Sequence, residues 1–280
     1  MKEKKLHINN HVVTSTKKYS LVQTRVLYEL TYAIRYEMRY KERNKDDLEM
    51  FVPMSEIKKM IGDVSLSNKK ARDKIFSKEA LRTDVEIMTE NYEKKKLIFA
   101  FSSIGYDEVK KEMCFKFNKE FIELASDVEK NFSIILMGEF NKLRSTYSQR
   151  MYELFIAYNN LPFYKMPIAK FKMFFGIPES FTMGHATQRV LEDSIKEISE
   201  VSNGNKIIKF TKQKEDSDGR EVSHILFNFI EKEAEGIKKE KEINNKPYFK
   251  EIKTPKQSKK DNKCVGASGF NTNGWESINY

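Results

Sequence analysis

The sequence predicts an α+β fold made of two copies of one module, and three observations support this prediction. Helix-like and strand-like patterns of apolar residues occur in the same order on either side of residue 130. The segment Val52–Gly62 aligns with Met166–Gly176, with proline, lysine and glycine in register and apolar residues matched at the other apolar positions. The long helices before these segments share Tyr-Glu-Leu, at residues 28–30 and 152–154.

The first copy begins with a helix that runs to about Tyr40. Ser20 and Gln23 have the form of a capping box, and apolar residues recur at spacings of three and four, at Val22, Val26, Leu30 and Ala33. A short extended segment over 48–53 precedes a second helix over 56–61, which ends at Gly62. A third helix follows over 69–81, and alternating apolar residues predict three strands near 85–87, 97–101 and 113–117.

The second copy repeats this order. Its first helix carries one apolar stripe, formed by Phe140, Leu143, Tyr147, Met151, Leu154 and Tyr158. A third helix is predicted over 186–200, and two alternating strands over 207–212 and 222–230. Asp218 and Gly219 supply the turn chemistry for a hairpin between these strands.

Three helices, a glycine-containing turn and a closing hairpin form a winged helix-turn-helix. The proline restricts the preceding residue to extended backbone, and the glycine lets the second helix end in the left-handed region. We therefore expect two tandem winged-helix domains related by internal pseudo-symmetry, over 1–128 and 129–235. The segment 236–280 alternates charges and then becomes rich in Gly, Ser and Asn, so we expect a flexible, basic, disordered tail.

The charge balance favours a polyanionic partner. Lys and Arg number 51 against 41 acids, which gives a net charge of +10, and the sequence pI is about 9.2. This balance alone does not choose nucleic acid over a membrane surface. No apolar run approaches a signal peptide or a membrane span, and the two cysteines lie far apart, so we expect a cytoplasmic protein with no membrane partner.

Catalytic and metal-binding motifs are missing from the sequence. The four histidines form no His-x-His or HExxH motif, and there is no phosphate-binding glycine loop or GxSxG nucleophile. The acidic pairs near residues 46–47 and 216–219 fit turns better than metal sites. We expect no enzyme, no metal and no cofactor.

In a helix-turn-helix unit the third helix enters the major groove of DNA, while basic side chains hold phosphates. A solvated helix face is the alternative interpretation for each of these side chains. For the first copy the predicted DNA-binding residues are Asn68, Lys69, Lys70, Arg72 and Lys74. For the second copy they are His185, Thr187, Gln188 and Arg189, with Lys209, Lys212, Lys214 and Arg220 on the hairpin. Lys142, Arg144 and Arg150 on the long helix add phosphate contacts in this interpretation, although Arg150 could equally support the fold.

The segment Leu143–Leu154, together with residues 189–198 and the alternating Ile225, Phe227 and Phe229, resembles the initiator replication proteins of iteron-controlled, theta-replicating plasmids. The resemblance spans about residues 8–230. It implies binding of double-stranded DNA at direct repeats of a plasmid origin, origin opening, and recruitment of the host initiator and the replicative helicase. It also implies a homodimer, formed through the first domain, that represses its own gene. One departure is that Arg189 stands alone in a helix that is often Arg-rich in this family.

Two other functions compete with this one. A winged-helix transcriptional regulator without a replication role would carry the same modules. A rolling-circle nickase would need metal ligands beside a tyrosine, and the missing histidine pair argues against it.

Overall fold

The computed structural model describes residues 4–15, 19–41, 44, 46–75, 85–88, 95–126, 132–214 and 222–232. The chain divides after Ala234 into two units, and every described residue lies in the first unit. The predicted tail over 236–280, the predicted end of the third helix at residue 81, the Asp218-Gly219 turn and Arg220 lie outside the described residues.

The strands of the described part are β1 (Lys5–Asn9), β2 (Glu49–Pro53), β3 (Val85–Met88), β4 (Lys95–Ile98), β5 (Phe101–Asp107), β6 (Glu112–Phe117), β7 (Phe132–Leu136), β8 (Tyr164–Pro167), β9 (Lys206–Lys214) and β10 (Val222–Glu231). Its α-helices are α1 (Asn10–Thr14), α2 (Leu21–Tyr40), α3 (Met54–Ile61), α4 (Asn68–Ile75), α5 (Lys119–Ser126), α6 (Met137–Phe140), α7 (Thr146–Tyr158), α8 (Ile168–Phe175), α9 (Met183–Ala186) and α10 (Asp193–Val201). A π-helical segment, Thr187–Glu192, joins α9 to α10.

The two copies have the same topology. The first module consists of α2, β2, α3, α4 and the hairpin β5–β6, and its sheet has the order β2-β6-β5. The second module consists of α7, β8, α8, the helix from α9 to α10, and the hairpin β9–β10, with the sheet order β8-β10-β9. In both modules the strand before the helical turn pairs antiparallel with the second strand of the hairpin. The predicted internal pseudo-symmetry is confirmed.

The repeated proline and glycine adopt matching conformations. Pro53 and Pro167 are the N-caps of α3 and α8, with φ of -56° and -58°. Gly62 and Gly176 end these helices with φ of +83° and +61°, the left-handed region that suits glycine. The helix end is closed in the same way in both modules, since the residue after each glycine donates its N–H to a carbonyl five residues back, at 3.0 and 2.9 Å. The sequence predicted both roles correctly.

The prediction of one long first helix in the second module is wrong at its start. Helix α6 ends at Phe140, and α7 begins at Thr146 after Ser145, whose hydroxyl accepts the N–H of Tyr147 at 3.1 Å. The intervening Leu143 is fully buried but lies in the loop between these helices, where its backbone carbonyl accepts a hydrogen bond from Arg25. The apolar residues therefore keep helix-like spacing across a loop, and this spacing does not mark one continuous helix.

The structure contains elements that the apolar pattern did not indicate. Strand β1 pairs antiparallel with β7, so the start of the chain is held by residues that follow the first module. Each strand has only five residues, and α1 and α5 are also short. The predicted strand near 97–101 is interrupted at Phe99 and Ala100, giving the separate strands β4 and β5, so the described residues between α4 and α5 contain four strands where three were expected.

The two matched glycines generate a stability prediction. Replacing Gly176 by Ala should destabilise the protein by roughly 1–2 kcal/mol, because its left-handed backbone is strained for a residue with a Cβ. No other atom lies within 4 Å of that Cβ, so the backbone strain alone sets the cost. Gly62→Ala should cost at least as much, since its Cβ would also lie 3.3 Å from Nη1 of Arg25. Urea unfolding measures both, with Gly184→Ala as the control. Gly184 is helical with an ordinary contact of 3.6 Å, so this control should be neutral or stabilising, and a similar loss in all three would contradict the explanation.

Candidate nucleic-acid interface

Helix α4 presents a basic face to solvent. Ser67 accepts the N–H of Lys70 through its hydroxyl at 3.3 Å, which orders the first turn. Ala71 and Ile75 are buried against the module, so the helix is fixed by one side only. Lys69, Lys70 and Lys74 are exposed on this helix, as is Asp73, while Asn68 and Arg72 are half-buried. The structure thus brings the predicted residues of the first module together on one helix.

The hairpin of the first module adds two lysines that sequence reasoning missed. Asp107 closes the turn after β5, because its Oδ1 accepts the N–H groups of Val109 and Lys110, both at 2.9 Å. These backbone hydrogen bonds, with that of Lys110 the larger, lower the pKa of Asp107. Lys110 and Lys111 are exposed at the tip, and Lys111 has a φ of +55°. The acidic and basic residues between two alternating strands were the available signal for this tip.

Arg72 connects α4 to this hairpin. Its Nη1 donates to Oε1 of Glu108 at 2.8 Å, and its guanidinium lies 5.0 Å from the centre of the Tyr106 ring. The third helix and the hairpin of the first module are therefore joined by a direct side-chain contact.

The third helix of the second module begins at a hydroxyl cap. Thr182 accepts the N–H of His185 at 3.3 Å. His185, Gln188 and Arg189 are exposed, which a contact with DNA requires. Thr187, which the sequence placed with them, instead turns inward and donates its hydroxyl to the carbonyl of Met183 at 2.7 Å. The candidate face in this helix is therefore smaller by one residue.

Gln188 and Arg189 lie inside the π-helical segment. Such segments are rare, and they occur mostly as single wide turns that are frequent at functional sites. Val190 and Leu191 of the same segment are fully buried and anchor it to the module. The wide turn thus carries two exposed polar side chains on a firmly packed base, which no spacing pattern in the sequence indicated.

The lysines of β9 do not form one patch. Residues on a strand alternate between its two faces, so Lys209 lies on one face and Lys212 and Lys214 on the other. All three are exposed. Lys214 pairs with Val222 at the end of the hairpin where β9 and β10 are connected, next to residues 215–221, which lie outside the described residues.

Lys142 and Arg144 lie in the loop between α6 and α7, not on a helix as expected, and both are exposed. The N–H of Arg144 donates to Oε1 of Glu197 on α10 at 2.6 Å. The carbonyl of Leu143 between them accepts from Nη2 of Arg25 on α2 at 2.5 Å. This loop therefore contacts both modules and carries two basic side chains at their junction.

Arg150 is a correction to the predicted interface, because it is buried with a side-chain exposure of 4%. Its guanidinium pairs with Glu153, which is itself fully buried, and donates to the carbonyls of Ser15 at 2.5 Å and Phe174 at 3.1 Å. A guanidinium held in this way has no surface for a phosphate. Of the two roles that the sequence left open, Arg150 supports the fold.

Tyr28 of α2 completes this buried cluster. Its hydroxyl donates to Oε1 of Glu153, across the two modules. Burial, followed by the nearby charge of Glu153, raises the pKa of Tyr28 well above its ordinary value, so the phenol keeps its proton and remains a donor.

Other kinds of site find little support in the described ranges. No three His, Cys, Asp or Glu side chains in them are grouped so that they could hold a metal ion. Within the same ranges, no helix combines the length and apolar character needed to cross a membrane. Asp46 and Asp47 act in turns and pairs: Asp46 contacts Nζ of Lys119 at 2.9 Å, and Asp47 accepts the N–H of Glu49 at 3.4 Å.

Comparison with known proteins gives a consistent result. The family model "Initiator Replication protein, WH1" matches residues 6–156, and "Initiator Rep protein, WH2" matches residues 167–229. Among solved structures, the chain is similar to the crystal structure of Pi initiator protein in complex with iteron DNA, with 17% sequence identity and a TM-score of 0.57 over 84% of this chain and 100% of that chain. No curated protein matches. The predicted fold of two tandem winged-helix domains is confirmed.

The contrast between two arginines generates a prediction. Arg150→Ala should destabilise the protein by about 3–5 kcal/mol, because it leaves the buried carboxylate of Glu153 without its cation. Arg144→Ala, at an exposed position, should change stability by less than about 0.5 kcal/mol. Chemical unfolding followed by circular dichroism measures both. If the stability of Arg150→Ala were unchanged, Arg150 would again be a candidate for the DNA interface.

Proposed function

This chain belongs to the initiator replication protein family, and on that basis we propose that it is a plasmid replication initiator that binds directly repeated origin DNA sequence-specifically. The observation that carries the proposal is the duplicated module with an exposed third helix in each copy. The iteron complex of the similar Pi initiator protein supports the same class of DNA target.

Two such helices on one chain suit two successive major grooves, which lie about 34–36 Å apart on one face of the duplex. The chain then acts as a pseudo-dimer on an asymmetric site, so its target is a non-palindromic element about two turns long and repeated in tandem. Lys69, Lys70 and Lys74 are suited to phosphates, whereas Arg189 and Gln188 have the donors and acceptors that pair with guanine and adenine edges.

The exposed basic residues at the junction and on the hairpins extend this surface. Lys142 and Arg144 contact the backbone between the two grooves in this arrangement. Lys110, Lys111, Lys212 and Lys214 reach the flanking phosphates, and Lys209, on the opposite face of β9, contacts phosphate separately from them. Arg220, which lies outside the described residues, stays a prediction.

Later steps of initiation are part of the same proposal and rest on family resemblance. The bound protein promotes opening of the origin and recruits the host initiator and the replicative helicase, and a homodimer formed through the first domain represses its own gene. It acts by binding and not by catalysis, in the cytoplasm. We assign DNA binding and dimerisation to 1–128 and repeat binding to 129–235.

Footprinting on the plasmid that encodes the protein tests the proposal. We expect protection of direct repeats near the gene, each about two turns long; equal binding to every duplex would contradict it.

Deleting the gene from a minimal replicon separates an initiator from a transcriptional regulator. Loss of replication, restored by supplying the protein in trans, is expected, whereas a replicon that still replicates would favour the regulator.

Two substitutions separate base reading from phosphate binding. Arg189→Ala should cost about 1–3 kcal/mol on the preferred repeat and relax specificity at one base position. Lys69→Ala should weaken binding to all duplexes alike and reduce the log–log salt slope by about 0.9. Titrations over a range of salt concentrations, on the repeat and on single-base variants, measure both effects. A uniform loss for Arg189→Ala would reassign that side chain to a phosphate.

A further inference from the structure

The first module holds one of its predicted DNA-binding side chains, Arg72, in a fixed arrangement. We call Arg72, Tyr106 and Glu108 the Arg72 clamp. Arg72 belongs to α4, while Tyr106 lies at the end of β5 and Glu108 in the turn that follows. The carboxylate of Glu108 accepts from Nη1 at 2.8 Å, and the Tyr106 ring lies 5.0 Å from the guanidinium. Two groups of the hairpin thus fix one arginine of the helix.

The hairpin side of the clamp is itself well ordered. Tyr106 is half-buried against the core and pairs with Met113 of β6. Asp107, between the two clamp residues, closes the turn with two backbone hydrogen bonds at 2.9 Å. The carbonyl of Lys111 on the far side of the turn accepts the N–H of Met54 at 3.1 Å. The turn therefore cannot shift freely relative to the start of α3.

Stability of the fold does not explain the clamp. The side chain of Glu108 is 75% exposed and that of Arg72 is 29% exposed. Exposed ion pairs of this kind add little to stability, because solvent screens them and ordering the side chains has an entropic cost. What the contact does achieve is to select one position of a long side chain before any ligand arrives.

The arginine keeps donors for a second partner. A guanidinium has five N–H groups in a planar fork, and only Nη1 is engaged by Glu108. The remaining edge, with Nε and Nη2, can donate in parallel to O6 and N7 of guanine in the major groove. Arg189 of the second module differs, since no hydrogen bond or ion pair of its side chain is seen within the described residues.

We infer that Glu108 is a specificity-determining positioning residue, which orients Arg72 through the Arg72 clamp to read one guanine in the groove entered by α4. This inference rests on the proposed function. A carboxylate near DNA also repels phosphates, so Glu108 lowers affinity for every duplex while it raises discrimination at one base pair.

Selection of bound DNA from a pool of random duplexes, with the full-length chain, tests the inference because such a pool contains every candidate target sequence. Sequencing of the bound fraction gives the preference at each position for the wild-type protein and for Glu108→Ala, Glu108→Gln, Arg72→Ala and Arg72→Lys. Glu56→Ala is the matched control, because Glu56 is an exposed acid of the same module that pairs with Lys59 at 2.6 Å and not with Arg72.

We expect Glu108→Ala and Arg72→Ala to lose the guanine preference at the same single position. The loss for Glu108→Ala should be about two- to tenfold, the usual cost of ordering one long side chain on binding. Arg72→Lys should behave like Arg72→Ala because it lacks the fork, and Glu108→Gln should keep part of the preference because its amide oxygen still accepts a hydrogen bond. Glu56→Ala should leave the pattern unchanged. Binding of Glu108→Ala to duplexes without the preferred site should be equal to or tighter than that of the wild type.

Three results would overturn the assignment: an unchanged guanine preference in Glu108→Ala, the same change in Glu56→Ala, or a uniform loss on all duplexes, which marks a structural role. If the wild-type chain shows no sequence preference at all, the proposed function fails as well, so the two failures are distinguishable. Thermal unfolding of each variant confirms that the compared proteins are folded.

Discussion

A buried carboxylate, Glu153, connects the two modules and determines how they can be arranged. It is fully buried, and one of its oxygens accepts from Tyr28 of the first module while the other pairs with Arg150 of the second. A carboxylate without partners would be very costly at this depth, so the charged group requires both donors to be in place. Because α2 supplies one donor and α7 the other, the relative position of the modules is fixed by a polar requirement as well as by apolar packing.

Two arginines extend this arrangement in a nearly symmetric way. Arg25 of α2 donates to the carbonyl of Ile61 near the end of α3, at 3.4 Å, and Arg150 of α7 donates to the carbonyl of Phe174 near the end of α8. Each guanidinium thus satisfies a free carbonyl at the end of its own module's second helix. Each also reaches out of its module, to Leu143 or to Ser15. The residues that shape each helix-turn-helix are therefore the same residues that connect the two.

The sequence predicted the repeated parts of the fold well, because there each local signal had an independent second copy. Proline and glycine at the ends of α3 and α8, and the capping box of α2, determine the backbone within a few residues of themselves, so the sequence is enough to predict them. The predictions failed where residues distant in the sequence determine the local structure or the partners of a side chain. Leu143 has helix-compatible spacing but lies in a loop, where its carbonyl accepts a hydrogen bond from Arg25. Arg150 has the charge of a phosphate ligand but pairs with Glu153 inside the protein. The inward turn of Thr187 and the π-helical segment depend on packing of the whole helix, which no spacing rule describes.

The pairing of β1 with β7 has a consequence for biosynthesis. Residues 5–9 leave the ribosome before their partners at 132–136, which follow only after the whole first module has been made. At about 5–20 residues per second, the strand waits roughly 6–25 seconds with an open edge. Closing so long a loop is entropically unfavourable until helices α2 and α7 have brought the ends together. Strand β1 therefore has an unpaired edge until β7 has been made, and an open strand edge is a place where chains can aggregate.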